Sequence, residues 1–168
     1  VQNIDAFTKS ENVDLNAIFS PVLGIFGTDS AGEKIYNKTD SIYGVPLYSL
    51  YGDNKKPSQD MLKNLDILVF DIQDIGIRSY TYISTMGLAM EAAQEGGLEF
   101  MVLDRPNPLG LKKIEGNILS LSFKSFIGRY PIPYVHGLTS GELAKMINEQ
   151  GWLEAVSYTH LTLPTIPG

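Results

Sequence analysis

Between Asp71 and Arg78 the chain reads DIQDIGIR, gathering two carboxylates, an amide and a guanidinium within eight residues. Asp71, Gln73, Asp74 and Arg78 together can accept, donate and move protons around a polar ligand, and a guanidinium suits planar recognition of a carboxylate or phosphate. Asp71 also fits a structural role, as a helix cap or as a partner of Arg78. Tyr80 and Tyr82 follow. Either could stack on a sugar ring or donate a hydrogen bond, although helical spacing turns one of them toward a core. A second group comprises Asp104, Arg105 and Asn107, with Pro106 and Pro108 fixing the shape of their loop. An Asp-Arg pair in such a place also serves as an internal salt bridge. His136, before Gly137, offers an imidazole for general acid/base work or hydrogen bonding, or simply a satisfied structural histidine. Glu115, before Gly116, is a lone acid.

The elements that must position these groups alternate between strand and helix patterns, which points to an α/β, Rossmann-like, mostly parallel sheet with crossover helices. Val1, Ile4 and Phe7 have helical spacing through Lys9. Ala17 to Phe19 and Val45 to Leu50 are strand candidates, with Pro46 placing the second at an edge or a strand start. Ser58 can cap a short helix to Asn64 that turns Met61, Leu62 and Leu65 inward. Ile67 to Phe70 reads as a buried central strand. A helix over Ser79 to Glu95 with Ile83, Met86, Met90 and Ala93 on one face ends at Gly96-Gly97. Phe100 to Leu103 and Ile132 to Val135 are further strands, and Thr139 with Glu142 forms a capping box for a helix over Leu143 to Glu149. Each polar cluster follows a strand, so the clusters should meet on one rim, the carboxyl edge where open α/β sheets bind ligands.

Bulk properties remove several function classes. The 168 residues, 43% of them hydrophobic, can bury one ordinary core. A net charge of -6 with no basic cluster argues against a nucleic-acid surface. Cysteine is absent, which removes disulfides, thiolate metal sites and thiol nucleophiles. No apolar run approaches the roughly 20 residues of a membrane span. A P-loop is missing, as is the G-x-S-x-G elbow. Gly24-Ile25-Phe26-Gly27 is half a dinucleotide fingerprint without its third glycine. With His136 the one credible histidine, no metal site is expected. Acid/base chemistry on a carbohydrate remains, where one acid protonates the leaving oxygen and a second group acts at the anomeric face. A domain binding a phosphorylated small molecule is a weaker alternative.

The stretch from Val156 to Thr165, VSYTHLTLPT, matches a translated frame of a sequencing-library adapter. Residues from about Ala155 onward, His160 included, are set aside as a non-biological tail. The expected organisation is a partial catalytic domain over residues 1–154.

Several strings carry a family resemblance. They are FSP..G..G from Phe19, AGEKI from Ala31, PLYSLYG from Pro46, VFDIQDIGIRSYTYISTMG from Val69, VLDRPNPLG from Val102, EGNIL from Glu115 and YPIPYVHGLTSGELA from Tyr130. Together they resemble the bacterial exo-β-N-acetylmuramidases, long catalogued as a domain of unknown function. The resemblance implies a Rossmann-like amino-terminal domain, a smaller second domain absent here, and a cleft between them. It implies release of terminal N-acetylmuramic acid from peptidoglycan fragments, export from the cytoplasm and no cofactor. The expected partner is a peptidoglycan-derived muropeptide or disaccharide, with oligomeric state open. Asp74, Glu115 and His136 are then the catalytic candidates. Glu33, Asp71, Gln73, Arg78, Tyr80, Tyr82, Asp104, Arg105 and Asn107 are the substrate-binding candidates, with Arg78 or Arg105 placed to hold the lactyl carboxylate. The chain departs from the family pattern after Pro21: Val22 and Leu23 stand where Glu-His is usual, and Phe26 where Arg is usual. An apolar pair transfers no proton, so the fragment is expected to be inactive, or to be a muropeptide-binding domain without catalysis.

Overall fold

A computed structural model describes residues 3–21, 38–52, 54–154 and 161–162. Val22, Leu23, the Gly24 to Gly27 run with Phe26, and Glu33 lie outside the described residues. The chain divides into two compact units, residues 1–65 and 66–168.

The first unit contains helix α1 (Asn3–Lys9) and strands β1 (Ile18–Ser20), β2 (Lys38–Thr39) and β3 (Pro46–Ser49). β3 is central, parallel to β1 and antiparallel to β2. The helix expected over Ser58 to Asn64 is instead a run of turns. Its bonds, Met61 N–H to Ser58 O and Leu62 N–H to Gln59 O, span three residues, and Asn64 has a left-handed φ of 65°. A segment this short does not offset the nucleation cost of an α-helix. Leu62 is buried as expected.

The second unit carries the candidate site. Strand β4 (Ile67–Phe70), helix α2 (Tyr82–Gly96) and strand β5 (Glu99–Val102) form a parallel crossover unit, and β6 (Leu161–Thr162) pairs parallel to β5. Gly97 stops α2 in a left-handed conformation with φ 70°, because only glycine adopts it without a Cβ penalty. Ile83, Met86, Met90 and Ala93 are buried on α2, and Leu143, Ala144 and Ile147 on helix α3 (Ser140–Glu149). Full burial of each large side chain stabilises by about 1.5–3 kcal/mol. β4 is buried on one face alone: Leu68 and Phe70 are covered while Ile67 and Val69 are exposed. The expectation of a fully buried strand therefore holds for alternate residues only, as the two-residue period of a strand requires. Inside α2, buried Glu91 accepts from Arg129 Nη2 at 2.8 Å.

Ile132 to Val135 does not join the sheet. Pro131 and Pro133 remove alternate N–H donors, so no ladder can run through this segment. Val135 instead makes isolated antiparallel bridges to Ile77 and Glu115. The segment thus pairs with the rim loop itself, which still delivers His136 to the rim.

Candidate active site

β4 and β5 run parallel with Phe70 opposite Val102, so the loops beginning at Asp71 and Leu103 leave the same edge. Leu103 N–H donates to Phe70 O at 3.0 Å, closing the two strand ends together. Gln73 ties the loops further: its Nε2 donates to Asp74 O at 2.7 Å and to Pro106 O at 3.2 Å. Arg105 Nη2 pairs with Asp71 Oδ1 across the same rim. Val135 brings the third segment by its bridge to Ile77, and His136 N–H donates to Gly76 O at 3.3 Å.

Asp74 and His136 meet at the centre, and both are almost wholly buried. Asp74 Oδ2 accepts from Gly76 N–H at 2.7 Å and lies 3.3 Å from His136 Nε2. This last approach is a polar contact without good hydrogen-bond alignment. His136 Nδ1 accepts from Leu138 N–H at 3.3 Å, which assigns the proton of the neutral ring to Nε2, facing the carboxylate. Both ring nitrogens are therefore directed at the protein. Asp74 Oδ1 is different: it is buried and meets no hydrogen-bond partner among the described residues. Such an orphan acceptor demands an explanation, and a reacting oxygen is one.

Other rim residues hold the loops in place. Asp104 accepts from Thr139 Oγ1 at 2.6 Å and from Gly141 N–H at 2.8 Å, gripping the first turn of α3 with both oxygens. Asn107 is buried, donates to Leu138 O at 2.9 Å and accepts from Leu109 N–H at 2.9 Å. Its amide occupies the space a Cβ on Gly76 would fill. Arg78 Nη1 donates to Asn117 O at 2.8 Å and Ile132 O at 2.5 Å. Tyr80 and Tyr82 meet edge to face at 4.8 Å, and burial pushes the Tyr82 phenol up, with Tyr80 adding to the shift. Glu115 does not join the Asp74–His136 pair. It lies opposite Val135 in an antiparallel bridge, so its side chain shares the Val135 face while Tyr134 and His136 point the other way. Its nearest ionic partner is Lys113 Nζ at 3.8 Å. An open depression of about 620 Å³ is lined by Leu109 to Glu115 and not by Asp74 or His136 themselves.

Two features escaped the sequence reading. Tyr134 is 43% exposed, accepts or donates a 2.9 Å bond with Ser79 Oγ, and lies beneath the Arg78 guanidinium at 5.8 Å. Its place two residues before His136 on extended chain was the available signal. The second is the backbone of Gly76 and Leu138, whose N–H groups orient Asp74 and His136; side-chain chemistry gives no sign of it.

A family model described as exo-β-N-acetylmuramidase NamZ, N-terminal, matches residues 1–167. The chain belongs to this NamZ amino-terminal family. The peptidoglycan β-N-acetylmuramidase NamZ of Bacillus subtilis (strain 168) is 52% identical over 153 residues, 91% of this chain and 37% of the relative. Two solved DUF1343 family proteins from Bacteroides fragilis NCTC 9343 share the architecture. One has a TM-score of 0.87 at 48% identity, covering 97% of this chain and 40% of the other. The second has a TM-score of 0.74 at 40% identity, covering 90% and 39%. The chain therefore spans about two fifths of the length of the NamZ and DUF1343 proteins it matches, and the α/β, Rossmann-like fold is shared with them.

Proposed function

We propose that this chain is the sugar-binding rim of an exo-acting β-N-acetylmuramidase that releases terminal N-acetylmuramic acid from peptidoglycan fragments in the cell envelope or outside the cell. The observation that carries the reading is the buried Asp74–His136 pair with its orphan Oδ1. It stands in a chain 52% identical to a curated peptidoglycan muramidase. In this reading Asp74 Oδ1 meets the sugar or the attacking water. Gly76 N–H and His136 fix the carboxylate through Oδ2, so His136 is a positioning residue. A glycosidase needs a second acid or base. Glu115 faces away from the pair, and the usual Glu-His positions hold Val22 and Leu23.

That substitution favours a second reading, a muropeptide-binding domain without turnover. Both are tested by incubating the chain with a disaccharide ending in N-acetylmuramic acid, measuring sugar release and binding together. Release supports the hydrolase; binding without release, converted to release in V22E/L23H, supports the lost-acid account. Neither binding nor release in either form removes the muramidase reading.

A further inference from the structure

Asn107 stands apart from the loop that carries it. Pro106, Pro108, Leu109 and Gly110 are exposed, while the asparagine between the two prolines is buried. Its Oδ1 accepts from Leu109 N–H at 2.9 Å, a local turn that fixes the rotamer. With the oxygen committed to that donor, Nδ2 faces the other way and donates to Leu138 O at 2.9 Å. The same amide fills the space beside Gly76, where a Cβ would overlap it. Gly76 itself has a φ of 83°, a conformation open to glycine at no steric cost. Gly76 and Leu138 are the residues whose main chain orients the buried pair. Gly76 N–H donates to Asp74 Oδ2 at 2.7 Å, and Gly76 O accepts from His136 N–H at 3.3 Å. Leu138 N–H donates to His136 Nδ1 at 3.3 Å, longer than the usual distance of about 2.9–3.0 Å and so easily lost if Leu138 shifts. One side chain from a third segment thus lies against both supports.

We propose that Asn107 is the positioning residue of the Asp74–His136 pair, holding in register the two backbone N–H groups that aim the carboxylate and fix the imidazole tautomer. The inference rests on the muramidase reading for the task of Asp74 Oδ1 and deepens it. Asn107 acts through Gly76 and Leu138, not by meeting the sugar. Asparagine suits the place and aspartate does not, because a carboxylate would set an acceptor against Leu138 O.

The test reads the pair directly by nitrogen-15 NMR. The sequence holds two histidines, so His160→Gln is made in every protein and one imidazole reports. N107D keeps the size and the turn bond but replaces the donor to Leu138 O. N107S keeps an acceptor for Leu109 N–H, carries no charge and empties the space beside Gly76. With Asn107 in place, Nδ1 is expected to resonate as an unprotonated nitrogen that accepts a hydrogen bond. In both variants it should shift toward an imidazole nitrogen without a donor, and the Gly76 amide proton should leave its carboxylate-bonded position. G87A is the control: it strains α2 against Tyr130 and should lower stability while leaving both signals in place. Signals unmoved in folded N107D and N107S, or moved equally in G87A, overturn the proposal, as does failure of both variants to fold in circular dichroism; Asn107 then holds its loop and nothing more. Release of N-acetylmuramic acid is measured separately. Its absence removes the muramidase reading, while shifted signals still show Asn107 setting the geometry of the pair.

Discussion

At the residue scale, the rim divides into side chains whose polar atoms are committed to the protein and those left with unmet valence. Asp104, Asn107 and Gln73 fall in the first group, holding one loop to another. Asp74 Oδ1 and Arg105 Nη1 have no hydrogen-bond partner among the described residues. The sequence showed which residue types would gather after β4 and β5, since a strand end followed by polar residues is readable from pattern alone. It could not show which oxygen or nitrogen each would commit, because that depends on backbone N–H groups such as Gly76 and Leu138. Asp74→Ala should remove the acceptor of Gly76 N–H and leave His136 facing a void, destabilising the chain by about 1–3 kcal/mol. Asp74→Asn keeps an acceptor and should fold with a near-normal midpoint in chemical denaturation. In a V22E/L23H chain that turns over, however, it should cut sugar release by about 10²–10⁴-fold. An Asn variant with full turnover would falsify the role given to Oδ1.

At the element scale, the parts read correctly are those with strong local signals. β4 has its apolar run, α2 its 3.6-residue spacing and glycine stop, and α3 its capping box, in which Thr139 Oγ1 accepts from Glu142 N–H at 3.1 Å. The misread parts are those where a donor was missing or a segment was too short: the Pro131/Pro133 stretch and the Ser58 turns. Helix α2 also contains a residue whose reason lies elsewhere in the chain. Gly87 is in the helix interior, where Ala would be favoured by about 1 kcal/mol on propensity. A Cβ there would fall on the hydroxyl of Tyr130, whose ring is fully buried and stacked on Trp152 at 6.0 Å. That neighbour is a rigid ring with no room to retreat. Gly87→Ala should therefore lower stability by about 1–3 kcal/mol despite the better propensity, as a fall in thermal midpoint would show. A rise would mean that Tyr130 can move. Asp104→Asn tests the join between rim and α3. The neutral amide can face only one donor well and no longer complements the helix N-terminus, so a loss of about 1–3 kcal/mol is expected by chemical denaturation.

At the scale of the whole molecule, stability against pH is set by the proton balance between folded and unfolded chains, and Tyr130 tilts it at the alkaline end. Its hydroxyl is buried with no well-aligned hydrogen bond among the described residues, the Arg129 guanidinium being its polar neighbour. Burial pushes the phenol well above its ordinary value, and the Arg129 charge offsets only part of that. Tyr82 is shifted in the same direction. Above pH 10, the ordinary value for a tyrosine, the unfolded chain has lost these protons while the folded chain keeps them. The folded state then binds more protons than the unfolded one, so stability is complete below that value and falls as pH rises beyond it. The acidic composition was plain from the residue counts, but the burial of Tyr130 depends on Gly87 leaving space for its hydroxyl. Tyr130→Phe removes the ionisation while its polar neighbour, the Arg129 guanidinium, keeps its bond to Glu91. It should be close to neutral for stability at pH 7 and should flatten the fall in thermal midpoint between pH 9 and 11. Equal slopes for the two proteins would assign the alkaline loss to groups other than Tyr130.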